Sequence, residues 1–356
     1  MIKSLSPYYV TTPFVSTASG LTSESYTMSI WVWDGDKASV PTAPVYTFTK
    51  PNPTASTGND KVNISRLISD YIDFTPQSTN TTSAINGNNQ QWVKTSVTYL
   101  TTDPTDGTTP QEESTNLFLL SYSYGYEGEN ITTIPNNILL EAQDYKVNRN
   151  GVFVVPVLGD ESSGTNYSII SYPNNEINIS SSVAASTDSS ELVQYLWVQV
   201  DETTNDKYIE VDYDGVVTTL LIYDECKYQP IDIFFQNKEG GEQVVTFFKE
   251  QRYSISVDSN SFESDRGQPS ERNHQFVTFN VQARGLITLN SGWVDEEMNE
   301  IFKQMFLSER IWSYDGTSFI PLNIKSKNLE YKTRQKERLI NYEVQFEPSY
   351  NEINNI

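Results

Sequence analysis

The sequence predicts a mainly β protein: tandem β-sandwich modules followed by a C-terminal α+β part with one amphipathic helix. Three observations support this. Apolar and polar residues alternate with period two over many short stretches, and these end at Gly, Pro, Asn and Asp clusters, which suit turns. One segment, from Asp295, switches to the 3.6-residue period of a helix with a broad apolar face. The chain has 356 residues with 22 Tyr, 16 Phe and 6 Trp, and a chain of that length buries roughly 75% of the surface its unfolded form exposes. The length predicts two or three domains.

The first β region covers residues 1–145. Tyr26 to Trp33 alternates and runs into the turn Asp34-Gly35-Asp36, and Tyr46 to Thr49 is stopped by Pro51 and Pro53. Trp92 to Leu100 and Asn116 to Tyr124 complete a sandwich pattern. Between them Val62, Leu67, Ile68, Tyr71 and Ile72 recur at near-helical spacing, with Asn63 as candidate cap. Gln77 to Asn89 and Thr101 to Thr115 read as exposed loops, the latter ordering on contact with neighbours.

A second β region covers residues 146–224. Its strands are Gly151 to Val157, Tyr167 to Ile170, Leu192 to Val200 and Lys207 to Tyr213. The last meets Val216 to Tyr223 through Asp214-Gly215, the strongest hairpin signal in the chain. A module of this size and strand content fits an immunoglobulin- or fibronectin-III-like sandwich.

The third region, residues 225–356, is the expected oligomerisation body. Ile231 to Phe235 and Val244 to Phe248 flank Gly240-Gly241 as a hairpin. Ser259 to Asn273 reads as a polar loop, and Phe276 to Leu289 as one long strand or two. Met298, Ile301, Phe302, Met305 and Phe306 line one helix face, with Glu296 and Glu297 in the first turn, where the helix dipole favours acids. Phe319 to Tyr331 and Ile340 to Phe346 read as closing strands.

Charge and chemistry narrow the function. Lys plus Arg number 24 against 46 Asp plus Glu, a net charge of −22, which argues against wrapping nucleic acid or coating an anionic membrane. No apolar run approaches the length of a membrane-spanning helix, and Met1 to Pro7 lacks the apolar core of a secretory leader. A single Cys226 and a single His274 permit no intrachain disulfide and no site built on two imidazoles. A Cys–His pair is formally available, but two acids beside Cys226 oppose a thiolate. Phosphate-loop, dinucleotide and serine-hydrolase signatures are absent. The acid pairs at Asp34-Gly35-Asp36, Asp103 to Gly107 and Asp212 to Gly215 sit where turns are needed and do not follow a calcium-loop rhythm. No enzymatic activity, cofactor or metal is expected.

Two features are candidate sites. The aromatic sets Trp31 with Trp33, and Tyr122, Tyr124 and Tyr126, each share one strand face. They suit sugar stacking, sandwich core or subunit contact. The basic set Lys325, Lys327, Lys332, Arg334, Lys336 and Arg338, offset by Glu330 and Glu337, carries +4 in 14 residues. It reads as a DNA-facing segment, as a complement to the acidic body of a neighbouring copy, or as a solvated hairpin turn.

Three stretches carry a resemblance. They are Leu5 to Val10 with Ser16 to Leu21 and Ile30 to Gly35; Cys226 to Pro230 leading to Phe235 to Gly240; and Leu289 to Trp293 through the helix to Trp312 and Pro321 to Ser326. Together they are similar to tail-associated structural proteins of phages infecting Bacteroidetes, including the crAss-like group. The resemblance implies a ring- or collar-type virion subunit in a short tail, assembled in the host cytoplasm. Its partners would be copies of itself and other tail proteins, with DNA contact confined to a ring lumen. It brings no catalytic residues. The alternative is a receptor- or glycan-binding protein of the same virion.

Overall fold

The computed structural model describes residues 2–12, 22–51, 60–76, 85–87, 90–103, 107–127, 137–159, 166–172, 176–182, 193–200, 205–264, 272, 274–326, 328–330 and 340–351. Among the described residues the fold is mainly β, arranged in several sheets with two short α-helices.

The N-terminal region contains β1 (Ile2–Lys3), β2 (Tyr9–Thr12), β3 (Thr22–Trp33), β4 (Tyr46–Pro51), β5 (Asp60–Asn63), α1 (Ser65–Ile68), β6 (Ile85–Asn86), β7 (Gln90–Asp103) and β8 (Gly107–Ser121). Five of these strands form a sheet in the order β1-β8-β7-β3-β4, with β1 parallel to β8. The alternation in β3 sets its faces. Tyr26, Met28, Ile30 and Val32 point into a core, while Thr27 and Ser29 bond across to Thr49 and Thr47 on β4. The core is covered by Val10, Val62, Ile64, Ile68, Ile72 and Phe74, contributed by the β2–β5 ribbon and the α1 segment. Only one turn of α1 forms before a 3₁₀ turn at Ser69–Tyr71. Asn63 accepts from the Ser65 N–H at 3.1 Å and the Ser65 hydroxyl at 2.7 Å. Over its described residues, 101–103 and 107–115, the stretch expected as a loop from Thr101 to Thr115 is instead paired, with Leu100 opposite Pro110 and Asp103 opposite Gly107.

The middle region contains β9 (Asp144–Asn148), β10 (Val152–Leu158), β11 (Asn166–Tyr172), β12 (Glu176–Ser182), β13 (Val193–Gln199), β14 (Tyr208–Tyr213) and β15 (Val216–Tyr223). A three-stranded sheet, β10-β13-β6, accompanies a five-stranded sheet, β12-β11-β14-β15-β9. The β14–β15 turn forms where Asp214-Gly215 requires it, with φ of +53° and +78°. β14 alternates buried and half-buried residues, whereas β10 and β13 are buried almost throughout. The difference is physical: strands covered on both faces read as continuous apolar runs. The second cover comes from the C-terminal sheet, where the Trp197 and Phe234 rings stack 6.1 Å apart.

That sheet is built from β16 (Ile231–Gln236), β17 (Glu242–Phe247), β18 (Gln251–Glu263), β19 (Phe276–Asn290), β20 (Ile311–Tyr314), β21 (Phe319–Ile324) and β22 (Glu343–Pro348), with α2 (Met298–Leu307) against it. The seven strands run antiparallel in the order β17-β16-β20-β21-β22-β19-β18. Ile301, Phe302 and Met305 are buried on α2, and the Phe302 ring meets Phe247 and Tyr342. The helix starts at Met298, so Glu297 sits at its N-cap and Glu300, rather than Glu296, supplies the acid of the first turn. Two expectations change. The Ser259–Asn273 loop loses its first residues to β18, which reaches Glu263, and the strand expected to reach Tyr331 ends at Ile324. Buried apolar residues form one continuous core from Ile138 to Phe346 and a separate N-terminal core.

Candidate interaction surfaces

The tyrosine stripe is spent inside the molecule. Tyr122, Tyr124 and Tyr126 continue beyond β8 and lie along α2. The Tyr122 hydroxyl donates to Glu309 at 2.9 Å, Tyr124 to the Gln304 carbonyl at 3.4 Å and Tyr126 to Glu300 at 2.6 Å. For the Tyr124 and Tyr126 contacts the spacings match, because two residues of extended chain advance roughly 6.6 Å and the four helical residues from Glu300 to Gln304 about 6.0 Å; Glu309, which takes Tyr122, lies just past the end of α2. Lys303 Nζ stands 3.5 Å above the Tyr126 ring. Burial, with Glu309 beside it, pushes the Tyr122 hydroxyl up to about 12. Nearby, the β16–β17 turn abuts the end of β8: Lys3 and Glu239 pair at 2.8 Å, both buried, and Tyr124 N–H donates to the Lys238 carbonyl. The stripe is a joint between regions, not an open platform.

Trp31 and Trp33 do share a face, with Trp92 and Leu119. Trp33 is only 7% exposed and its indole N–H donates to the Asp36 carbonyl. Trp31 is half-buried under Lys94, whose Nζ lies 5.0 Å from the ring. As an exposed aromatic surface the set is therefore corrected: Trp33 and Tyr122 are buried, and burial beneath neighbouring strands and helix explains both.

Of the basic set, Lys325 is exposed and pairs with Glu347 at 3.0 Å. Lys327, Lys332, Arg334, Lys336 and Arg338 lie outside the described residues. Among the acid pairs, the Asp36 carboxylate accepts from the Ala38 N–H and the Asp212 carboxylate from the Gly215 N–H, which is turn chemistry.

The β18–β19 hairpin is the feature that sequence reasoning missed. Its alternation, Arg252-Tyr253-Ser254-Ile255-Ser256-Val257, is that of a half-buried strand, yet the apolar side meets no core. The register shows why. Ile324, Phe346, Ile287 and Tyr253 sit side by side across β21, β22, β19 and β18. Phe346 is 0% exposed, Ile287 is half-buried and Tyr253 is 66% exposed. The core face of the sheet thus runs off the edge of the body. Further along the hairpin Ile255 and Val257 are exposed, as are Phe262, Phe276 and Phe279 beyond a register shift at Asp258–Asn260. The opposite face is polar, where Arg252 faces Glu343 and Arg284 faces Glu347, each at 3.9 Å.

Beneath the base of this arm lies a cleft of about 800 Å³ between the middle region and the C-terminal sheet. Its apolar lining includes Ile231, Ile287, Leu289, Ile320 and Leu322, with Tyr253 beside them. Polar groups complete it: Arg149 pairs with Asp224 at 2.5 Å, and Asp232 accepts from the Thr246 hydroxyl at 2.6 Å. Burial pushes the Asp232 carboxyl up to about 6, against the pull of its hydrogen bonds from Thr246 and Val152. The exposed Cys226 also lines the cleft. No cluster of three metal-ligating side chains occurs among the described residues, and no helix is long and apolar enough to cross a membrane. Comparison with protein-family models, curated proteins and solved structures finds no match to this chain.

Proposed function

We propose that this chain is a non-enzymatic structural subunit of a phage virion, a ring- or collar-type tail component that assembles with its own copies and with neighbouring tail proteins. The observation that carries the assembly part is the β18–β19 arm. Its six exposed apolar residues present on the order of 600 Å² of side-chain surface, at the upper end of what a monomer leaves open. A long, apolar edge strand is a hazard unless something covers it, and a two-stranded ribbon has little stability of its own in water. The virion part rests on the sequence resemblance and on a net charge that disperses the free subunit. We read the middle module as immunoglobulin-type, because β10 and β13 lie in one sheet and β12-β11-β14-β15 in the other. The glycan-binding alternative draws on the Tyr122–Tyr126 and Trp31/Trp33 faces; the tyrosine hydroxyls are engaged by Glu309, Gln304 and Glu300 and Trp33 is buried, which leaves that reading little open aromatic surface.

Native mass over a concentration series, with negative-stain images of the same sample, tests the reading. A fixed higher oligomer or closed rings is expected, and a chain that stays monomeric at every concentration counts against self-assembly.

A further inference from the structure

We infer that the free edge of β18 pairs with the same edge of a second copy, antiparallel and across a two-fold axis at Ile255, so that two C-terminal sheets continue into one. The inference rests on the assembly reading and names the contact that makes it. Among the described residues β18 ends the order of its sheet and pairs only with β19, and residues 252–258 are all exposed. An open edge offers its unpaired N–H and C=O groups to another strand.

The side chains along that edge select the strand that fits. Antiparallel self-pairing about Ile255 sets each residue opposite the one equally far beyond the axis. Tyr253 then meets Val257 of the second copy and Ile255 meets its own equivalent, which joins the apolar rows of the two arms. On the polar face Ser254 meets Ser256, and Arg252 meets Asp258. Aromatic–β-branched and opposite-charge pairs are the cross-strand combinations that stabilise a sheet, and the two-fold makes each of them twice. Arg252 is open to the exchange. Its side chain is 64% exposed, 3.5 Å from Glu250 and 3.9 Å from Glu343, and surface contacts of that kind hold little. Neighbouring registers lose the match. An axis at Ser254 sets Glu250 against Asp258, and one at Ser256 sets Tyr253 against Ser259. The complementary stretch also ends where the strand changes, since the register with β19 shifts between Asp258 and Asn260.

The Arg252–Asp258 pairs act at contact distance. The repulsion between two chains of net charge −22 is spread over their surfaces and screened beyond about 10 Å at 0.1 M salt, so the pairs offset part of it locally. An edge contact of this length is small, and the dimer is in reversible exchange with monomer. A two-fold contact closes on itself, and the dimer is the unit from which any larger assembly is built.

Charge exchange tests the register. Arg252→Asp sets carboxylates against each other at both contacts, and Asp258→Arg sets guanidiniums against each other. Each variant alone should associate at least tenfold more weakly than the wild type in sedimentation velocity. An equimolar mixture of the two restores an opposite-charge pair at both contacts of the mixed dimer and should recover wild-type association. Both positions are exposed, so the unfolding midpoints should stay where they are. Single variants that associate as the wild type does overturn the β18 pairing and leave assembly standing, as does a mixture no stronger than its parts. Wild-type protein that stays monomeric at every concentration overturns both.

Discussion

Gly240 and Gly215 hold the same left-handed backbone, at φ of +85° and +78°, in opposite surroundings. Nothing lies within 4 Å of a Cβ built at Gly215, whereas one at Gly240 would overlap the Ser121 hydroxyl. Gly215→Ala should therefore cost only the conformational penalty, about 1 kcal/mol. Gly240→Ala adds steric overlap at the joint between β8 and the β16–β17 turn, for about 3 kcal/mol in all. Urea unfolding of the two variants checks the difference. Asp232 makes a pH prediction. Its folded pKa is raised to about 6 while an unfolded Asp titrates at about 4, so the folded state binds the proton more tightly. The stability this group contributes is complete below about pH 4 and is lost as pH rises through about 6. Asp232→Asn keeps an acceptor for Thr246 without the charge. Its unfolding midpoint should gain on the wild type between about pH 4 and 6 and hold that gain above. A difference that stays constant across the window would falsify the raised pKa.

Among the elements, the arm separates folding from assembly. Of the described residues from Val257 to Ala283, only Ala283 is buried. Ser256 and Arg284 are register partners, so an Asn-Gly turn can join them as a two-residue hairpin. Replacing residues 257–283 in this way should leave the unfolding midpoint of the body within the equivalent of about 1 kcal/mol and should remove oligomers from native mass measurements. Legibility differs between elements for related reasons. β10, β13, β16 and β17 announce themselves as apolar runs because both their faces are covered, and the β14–β15 hairpin because Asp-Gly dictates its turn. β1, β2, β5 and β6 have two to four residues each, too few to show a period. β18 shows its period plainly. What the sequence lacks is any sign that its apolar side faces outward, since periodicity reports a face and not what covers it. The same gap hid the tyrosine joint: Tyr122, Tyr124 and Tyr126 were visible as a stripe, while their partners Glu300, Gln304 and Glu309 lie more than 170 residues away.

At the scale of the molecule, the buried apolar residues of the middle and C-terminal regions form one cluster. The expected limits at residues 145 and 224 follow composition, but Ile138, Leu139 and Ala142 pack in the same core as the C-terminal sheet, and Trp197 stacks on Phe234 across the second limit. Which sheets stack is a long-range outcome that local alternation does not encode. The charge distribution then offers two routes to assembly with opposite signatures. The basic stretch Lys325–Arg338 carries +4, leaving −26 on the rest of the chain, and a contact made by their attraction weakens as salt screens it. A contact made by the apolar arm instead works against repulsion between chains of net charge −22. Screening removes that repulsion, since the Debye length falls from about 10 Å at 0.1 M to about 3 Å at 1 M. The arm therefore predicts association that strengthens several-fold between about 50 mM and 500 mM NaCl, followed by sedimentation velocity at fixed protein concentration. Association that weakens over the same range would instead place the contact at Lys325–Arg338, where opposite charges are lost to screening.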